Sequence, residues 1–157
     1  MLAIHPERPD QPEITALLSE LDRYLGSLYP PEANHLLDVQ ALLAPELSFL
    51  VARRDGRAVG TAACRRMPGE PETGGERYGE IKRMYVMPEE RGQRIAERLL
   101  QALEDGLRKE GIGWALLETG RDQTEAVRLY ERCGYARRAS FAGYPDNGLS
   151  LFMAKRL

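Results

Sequence analysis

The sequence predicts an α/β fold: a mixed sheet with helices on both faces. Three observations carry that reading. The chain has 157 residues, 43% hydrophobic and 29% charged, proportions that suit one globular domain over residues 1–157. Asp55-Gly56, set between two apolar runs, is a strong signal for a two-residue hairpin. The second half then alternates extended and helical patterns, β-helix-β-helix-β, which places helices on both faces of a sheet.

The elements follow in order. From Pro12 to Leu25 the apolar residues Ile14, Leu17, Leu18, Leu21 and Leu25 recur on one helical face. Tyr29-Pro30-Pro31 interrupts that helix. A second, shorter helix is expected from Glu32 to Leu43, stopping before Pro45. Ser48–Arg54 and Arg57–Met67 are the two arms of the hairpin. Pro68–Arg77, with two prolines and three glycines, reads as a mobile loop, its Gly74-Gly75-Glu76-Arg77 part a flexible connector. Tyr78–Val86 is β-rich and ends before Pro88. Arg91–Glu110 is expected as the longest helix, with Ile95, Leu99, Leu100, Leu103 and Leu107 as its apolar stripe and Gly111 at its C-terminal cap. Gly113–Glu118 is a short buried strand. Thr124–Cys133 is a helix capped by Gly134, and Tyr135–Phe141 and Leu149–Lys155 are the last strands.

Composition narrows the function. Twenty-two basic against 24 acidic residues give a net charge of −2, which argues against a nucleic-acid partner. No run approaches 18 apolar residues, so no membrane span is expected. The N-terminal residues lack the order of a secretory signal. Cys64 and Cys133 have no metal-ligand or CxxC spacing. A reduced, cytoplasmic protein is therefore expected. His5 and His35 are the only histidines; neither has a third ligand near it, so no metal site is expected.

The stretch Val86-Met87-Pro88-Glu89-Glu90-Arg91-Gly92-Gln93-Arg94-Ile95-Ala96 is the most informative. A strand ends, a loop turns and a helix begins, and the N–H groups of a helix start suit an anion. It is neither a Walker loop nor a GxGxxG fingerprint, and on spacing alone it is as well read as a plain helix start. With its surroundings it resembles motif A of the GNAT family of N-acetyltransferases, a strand ending in Val, a Pro two residues on, then Arg/Gln-x-x-Gly-x-Gly/Ala. Arg91, Ile95 and Ala96 fit, with Gly92 as the usual neighbour of the arginine. Downstream, Gln123-Thr124-Glu125-Ala126-Val127-Arg128-Leu129-Tyr130, followed by Gly134-Tyr135, resembles motif B. The resemblance covers about residues 48–156. Arg94 stands where the pattern has glycine: its guanidinium can clamp a phosphate oxygen, while its Cβ can crowd the turn. Gln123 stands where the pattern has asparagine, keeping the amide on a longer arm.

The resemblance implies a mostly antiparallel sheet of about seven strands, splayed at the cofactor site, and transfer of an acetyl group from acetyl-CoA to a primary amine of a small molecule or peptide. It implies that Met84, Tyr85 and Val86 offer backbone groups to the pantetheine arm and acetyl carbonyl, and that Arg91, Gly92, Gln93, Arg94, Ile95, Ala96 and Gln123 hold the rest of the cofactor. A backbone N–H near Val86 would stabilise the oxyanion. Tyr130 matches the family's tyrosine acid; the alternative is a core tyrosine on an apolar face. Glu80 falls where some members carry a carboxylate base; the alternative is a strand-edge charge paired with Lys82 or Arg83. By simple alternation Glu80 shares a face with Lys82, Met84 and Val86. Tyr24, Tyr29 and His35 are candidate acceptor contacts. Tyr144-Pro145-Asp146-Asn147-Gly148 either borders the acceptor pocket or is an ordinary turn. Two rival functions share the fold, a non-catalytic acyl-CoA sensor and an acetyltransferase of aminoacyl-tRNA, and the net charge disfavours the second. Homodimers are frequent in the family.

Overall fold

A computed structural model describes residues 1–31 and 37–157. The elements are β1 (Leu2–Pro6), α1 (Pro12–Leu28), α2 (Val39–Leu42), β2 (Leu47–Arg54), β3 (Arg57–Met67), β4 (Tyr78–Val86), α3 (Ile95–Lys109), β5 (Trp114–Gly120), α4 (Thr124–Arg132), β6 (Ala136–Arg138) and β7 (Ser150–Arg156). Short 3-10 turns occupy Pro71–Thr73 and Pro88–Glu90. The strands form one open, seven-stranded mixed sheet, in the order β1-β2-β3-β4-β5-β7-β6, with helices on both faces. The β4–β5 pair is parallel, whereas β1–β2, β2–β3, β5–β7 and β6–β7 are antiparallel.

The chain divides into two compact units, Met1–Arg65 with Lys82–Leu103, and Arg66–Ile81 with Glu104–Leu157. In the first, the α1 stripe Ile14, Leu17, Leu18, Leu21 and Leu25 is buried against Phe49, Val51, Ala58, Ala63 and Tyr85. Burial of side chains of this size stabilises by about 1.5–3 kcal/mol each, so packing rather than capping holds α1: its N-cap residue, Gln11, makes no side-chain cap bond. Asp55 and Gly56 both have positive φ, +50° and +88°, the combination a type I′ hairpin requires, and Arg54 pairs with Arg57 across it. Gly60 is a close-approach position. A Cβ there would lie 3.0 Å from the Tyr85 carbonyl oxygen and 3.4 Å from Val86 Cγ2 and Leu99 Cδ1.

In the second unit, β5 is buried between β4 and β7, and Tyr78, Leu116, Phe141 and Phe152 form an apolar cluster. Glu104, 1% exposed, accepts from the Tyr135 hydroxyl (2.9 Å) and from Lys155 Nζ (2.8 Å). A buried carboxylate is tolerated only with such partners. The C-terminus of α4 closes as a Schellman motif: Tyr135 N–H donates to Tyr130 C=O (3.0 Å) and Gly134 N–H to Glu131 C=O (3.1 Å). Gly134 has φ +96°, a conformation glycine adopts without cost.

Four expectations change. β1 has no counterpart in the sequence reading; five residues beside two prolines and a histidine carry little alternation. Of the helix expected over residues 32–43, the described part is helical at Val39–Leu42, started by Asp38, whose carboxylate accepts from Ala41 N–H at 2.8 Å; residues 32–36 lie outside the described residues. The long helix begins at Ile95, not Arg91, because Gly92 (φ +81°) and Arg94 (φ +62°) hold the preceding turn out of helical geometry. The 68–77 loop is hydrogen-bonded throughout: Thr73 and Glu70 cap its 3-10 turn, and Glu76 accepts from Trp114 Nε1 at 2.6 Å.

Candidate active site

The site residues are reached through β4. The sequence expects plain alternation from Glu80 to Val86, but the pleat breaks at Arg83, whose φ is +55°. A left-handed residue other than glycine costs on the order of 1–2 kcal/mol and persists only where its surroundings hold it. Here Thr61 Oγ1 donates to the Arg83 carbonyl (2.9 Å), Arg83 Nε donates to the Leu37 carbonyl (2.9 Å), and its guanidinium pairs with the Asp22 carboxylate. Arg83 is 7% exposed. Its partners correct one alternative for Glu80, since Arg83 is committed to Asp22. The break also corrects the expected common face, because alternation from Glu80 does not carry through Arg83 to Met84 and Val86. The ladder between β4 and β5 runs from Gly79–Ala115 through Glu80–Leu116 to Ile81–Leu117, and Arg83 follows two residues later.

Beyond Arg83, Tyr85 and Val86 are buried and Met84 is half-buried. Met87 N–H donates to the Val59 carbonyl at 2.9 Å, fixing the strand end on β3. Arg91 returns over this end: its Nε donates to the Val86 carbonyl at 3.0 Å and its guanidinium lies 5.8 Å from the Tyr85 ring centroid. The acidic pair before the turn is neutralised locally, Glu89 by Arg57 (3.2 Å) and Glu90 by Arg54 (3.1 Å), with Gln93 on the same Glu90 oxygen. That matters for an anion, because uncompensated carboxylates would repel it. Gly92, Gln93 and Arg94 are exposed, Ile95 is buried and Ala96 half-buried. Arg98 N–H donates to the Arg94 carbonyl (3.1 Å), and a helix start of this kind presents backbone N–H groups to an anion. This turn suits a phosphate.

Arg94 sits in left-handed backbone that glycine would adopt without strain. Arg94→Gly is expected to raise Tm by about 2–3 °C, the strain relieved less the entropy of an added glycine. Titration calorimetry with acetyl-CoA then reads the side chain's role. A tenfold or greater weakening, about 1.5–3 kcal/mol for a charged hydrogen bond, identifies a phosphate clamp; unchanged or tighter binding identifies a side chain that only crowds the turn.

Two of the remaining predicted residues belong to the second unit with Gln123. Glu80 is 1% exposed and its Oε2 accepts from the Tyr144 hydroxyl at 2.8 Å, so it is a buried carboxylate rather than a strand-edge surface charge. Tyr130 is 6% exposed. It is the last-turn residue of the α4 Schellman motif, and its ring meets Tyr135 edge-on at 5.9 Å, the hydrophobic contact that accompanies that cap. Burial, with a smaller contribution from Cys133, pushes the Tyr130 phenol well above the usual tyrosine range. Gln123 is half-buried at the N-cap of α4. Its amide makes no cap bond; its N–H donates to the Gly120 carbonyl (3.0 Å). Of the acceptor candidates, Tyr24 is exposed on α1 and Tyr29 is buried in the first unit's core. His35 lies outside the described residues. Among the described residues no group of three His, Cys, Asp or Glu side chains could hold a metal.

The sequence profile of the acetyltransferase (GNAT) family matches residues 14–135. The chain belongs to the GNAT acetyltransferase family. It is 47% identical over 156 residues to the "IAA acetyltransferase" of Azospirillum brasilense, a match covering 99% of this chain and 98% of the relative. Among solved structures it resembles an acyl-CoA N-acyltransferase structure from Klebsiella pneumoniae subsp. pneumoniae MGH 78578, at 35% identity and a TM-score of 0.79, over 100% of this chain and 98% of that one. It shares the fold of the PaiA N-acetyltransferase from Thermoplasma acidophilum, solved with coenzyme A, at 16% identity and a TM-score of 0.75, over 100% of this chain and 99% of that one. Membership in the GNAT family explains why a glycine-containing turn follows β4, and why a tyrosine and a Gly-Tyr pair close α4.

Proposed function

We propose that this GNAT protein transfers the acetyl group of acetyl-CoA to a primary amine of a small molecule or peptide, by direct attack within a ternary complex. The observation that carries the reading is the end of β4 with the turn after it: backbone groups of Met84–Val86, the left-handed Gly92 and Arg94 leading into the start of α3, and acidic neighbours already paired with Arg54 and Arg57. The match of the family profile across this segment supports it, as does the coenzyme A in the Thermoplasma neighbour.

Each residue then has a task. The turn 91–96 holds the diphosphate through backbone N–H groups, and Gln123 adds an amide. Acetyl-CoA supplies an activated acyl group on a thiol leaving group. A backbone N–H near Val86 meets the negative charge that develops on the acyl oxygen. Glu80 takes a proton from the acceptor ammonium, because only the free amine has a lone pair to attack with. Tyr130 donates a hydrogen bond from its hydroxyl to the departing sulfur. Its raised pKa keeps the donor protonated across the working pH range. The protein is expected to act in the cytoplasm.

Acetyl-CoA binding is the first test. A ligand that binds only the folded state stabilises it by about 2.7 kcal/mol at one hundred times its Kd, so Tm is expected to rise steadily in a titration to millimolar acetyl-CoA. No shift together with no calorimetric heat would overturn the cofactor assignment. An acceptor screen with detection of the released thiol then names the substrate; it includes IAA, for which the Azospirillum relative is named, beside polyamines, amino acids and peptide N-termini.

A further inference from the structure

The segment between β6 and β7, residues 139–149, has no task in the reading above. Its sequence reads either as the border of an acceptor pocket or as an ordinary turn, and in the structure it is anchored at successive points. Phe141, 1% exposed, meets the rings of Tyr78 (5.6 Å), Tyr144 (5.6 Å) and Phe152 (5.9 Å) edge-on. Such edge-on contacts hold the rings beyond what burial alone does. Ala142 N–H donates to Glu70 Oε1 at 2.5 Å, and the same oxygen accepts from the Tyr78 hydroxyl at 3.0 Å. Arg138, at the end of β6, donates to the Glu72 carbonyl at 2.8 Å. Ala142 and Gly143 have φ of +54° and +72°, so the chain turns sharply directly after the buried Phe141. That turn delivers the Tyr144 hydroxyl to Glu80 Oε2 at 2.8 Å.

We propose that Tyr144 is a positioning residue for acetyl transfer, its hydroxyl holding the Glu80 carboxylate in the orientation in which it receives the acceptor's proton. The inference rests on the reading of Glu80 as the base. The hydroxyl suits the task because a donor placed on one carboxylate oxygen fixes the group's rotation. The ring suits it because the Phe141 cluster already holds it, so the hydroxyl is aimed without further loss of rotamer freedom. Ionisable groups near Glu80 include the Tyr144 phenol from the 139–149 segment and the Tyr78 phenol on its own strand, with Glu70 and Arg138 acting on Tyr78 in turn. The β5 residue opposite Glu80 is the apolar Leu116.

Tyr144→Phe keeps the ring in the cluster and removes the donor. Near neutral pH kcat is expected to fall about tenfold, at the low side of what general-base catalysis contributes. KM for acetyl-CoA should stay put and Tm should hold within a few degrees. A residue acting through Glu80 has nothing left to act on once Glu80 is glutamine. In a Glu80→Gln background, assayed at high pH, Tyr144→Phe should therefore cost nothing further. Equal fold losses in the two backgrounds would overturn the inference and leave the base assignment intact. A Glu80→Gln enzyme with the wild-type pH profile would overturn both.

Discussion

Tyr130→Phe is expected to lower kcat about 10²-fold while KM for acetyl-CoA and Tm change little. The substitution isolates one atom. The ring stays where the α4 Schellman motif puts it, with Tyr135 edge-on at 5.9 Å and the Tyr130 carbonyl accepting from Tyr135 N–H at 3.0 Å; those contacts belong to the ring and the backbone, not the hydroxyl. What is lost is the donor. Desolvation pushes the Tyr130 phenol well above the ordinary tyrosine value, while a free thiol titrates near 8.5, so complete proton transfer from the phenol to the leaving sulfur is uphill. The hydroxyl acts by donating a strong hydrogen bond to the developing negative charge, and losing such a donor costs about 10²–10³ in kcat. A uniform loss across pH 6–9 is therefore expected, since the phenol stays protonated over that range. Activity within a few-fold of wild type would place Tyr130 in the core alone.

Much of the frame was legible in the sequence because its signals are local. The α1 stripe from Ile14 to Leu25 needs only a helical period, the Asp55-Gly56 hairpin needs only two residues that tolerate positive φ, and β4 was bounded by its own residue types. The family pattern marked the turn at 91–96 and the α4 tyrosine for the same reason. What stayed hidden depends on partners far away in the chain. Arg83 takes a left-handed conformation in mid-strand because Thr61, Asp22 and Leu37 hold it there, and nothing within four residues announces that. The 68–77 loop reads as a flexible connector because its glycines and prolines deny it regular structure, yet Glu70 ties it to Ala142, 72 residues on. Arg94 was visible as a departure from the pattern, but that it accepts glycine's backbone angle rather than reshaping the turn is a fact of three dimensions. The Tyr144–Glu80 bond, 64 residues apart in sequence, was invisible on both sides.

Glu80→Gln carries the largest expected effect, because it leaves the shape of a buried side chain and removes its capacity to take a proton. Tyr144 can donate to the amide oxygen as it does to Oε2 at 2.8 Å, so the local hydrogen bond survives. For the wild type, kcat/KM should rise with pH: at low pH the carboxylate is protonated and the acceptor is an ammonium, and both conditions oppose transfer. Near neutral pH the variant should lose 10²-fold or more, within the range general-base catalysis supplies. Toward the acceptor's own pKa the free amine becomes abundant, the enzyme no longer needs a base, and the variant should regain part of its rate. This recovery separates proton transfer from folding, since a misfolded enzyme has no activity to regain at any pH. It also separates Glu80 from Tyr130: Tyr130→Phe should show a loss that pH does not repair, whereas the Glu80→Gln loss should shrink as pH rises. Superimposed wild-type and variant profiles would make Glu80 a buried structural charge and assign the acceptor's proton to another group or to a water held by backbone carbonyls.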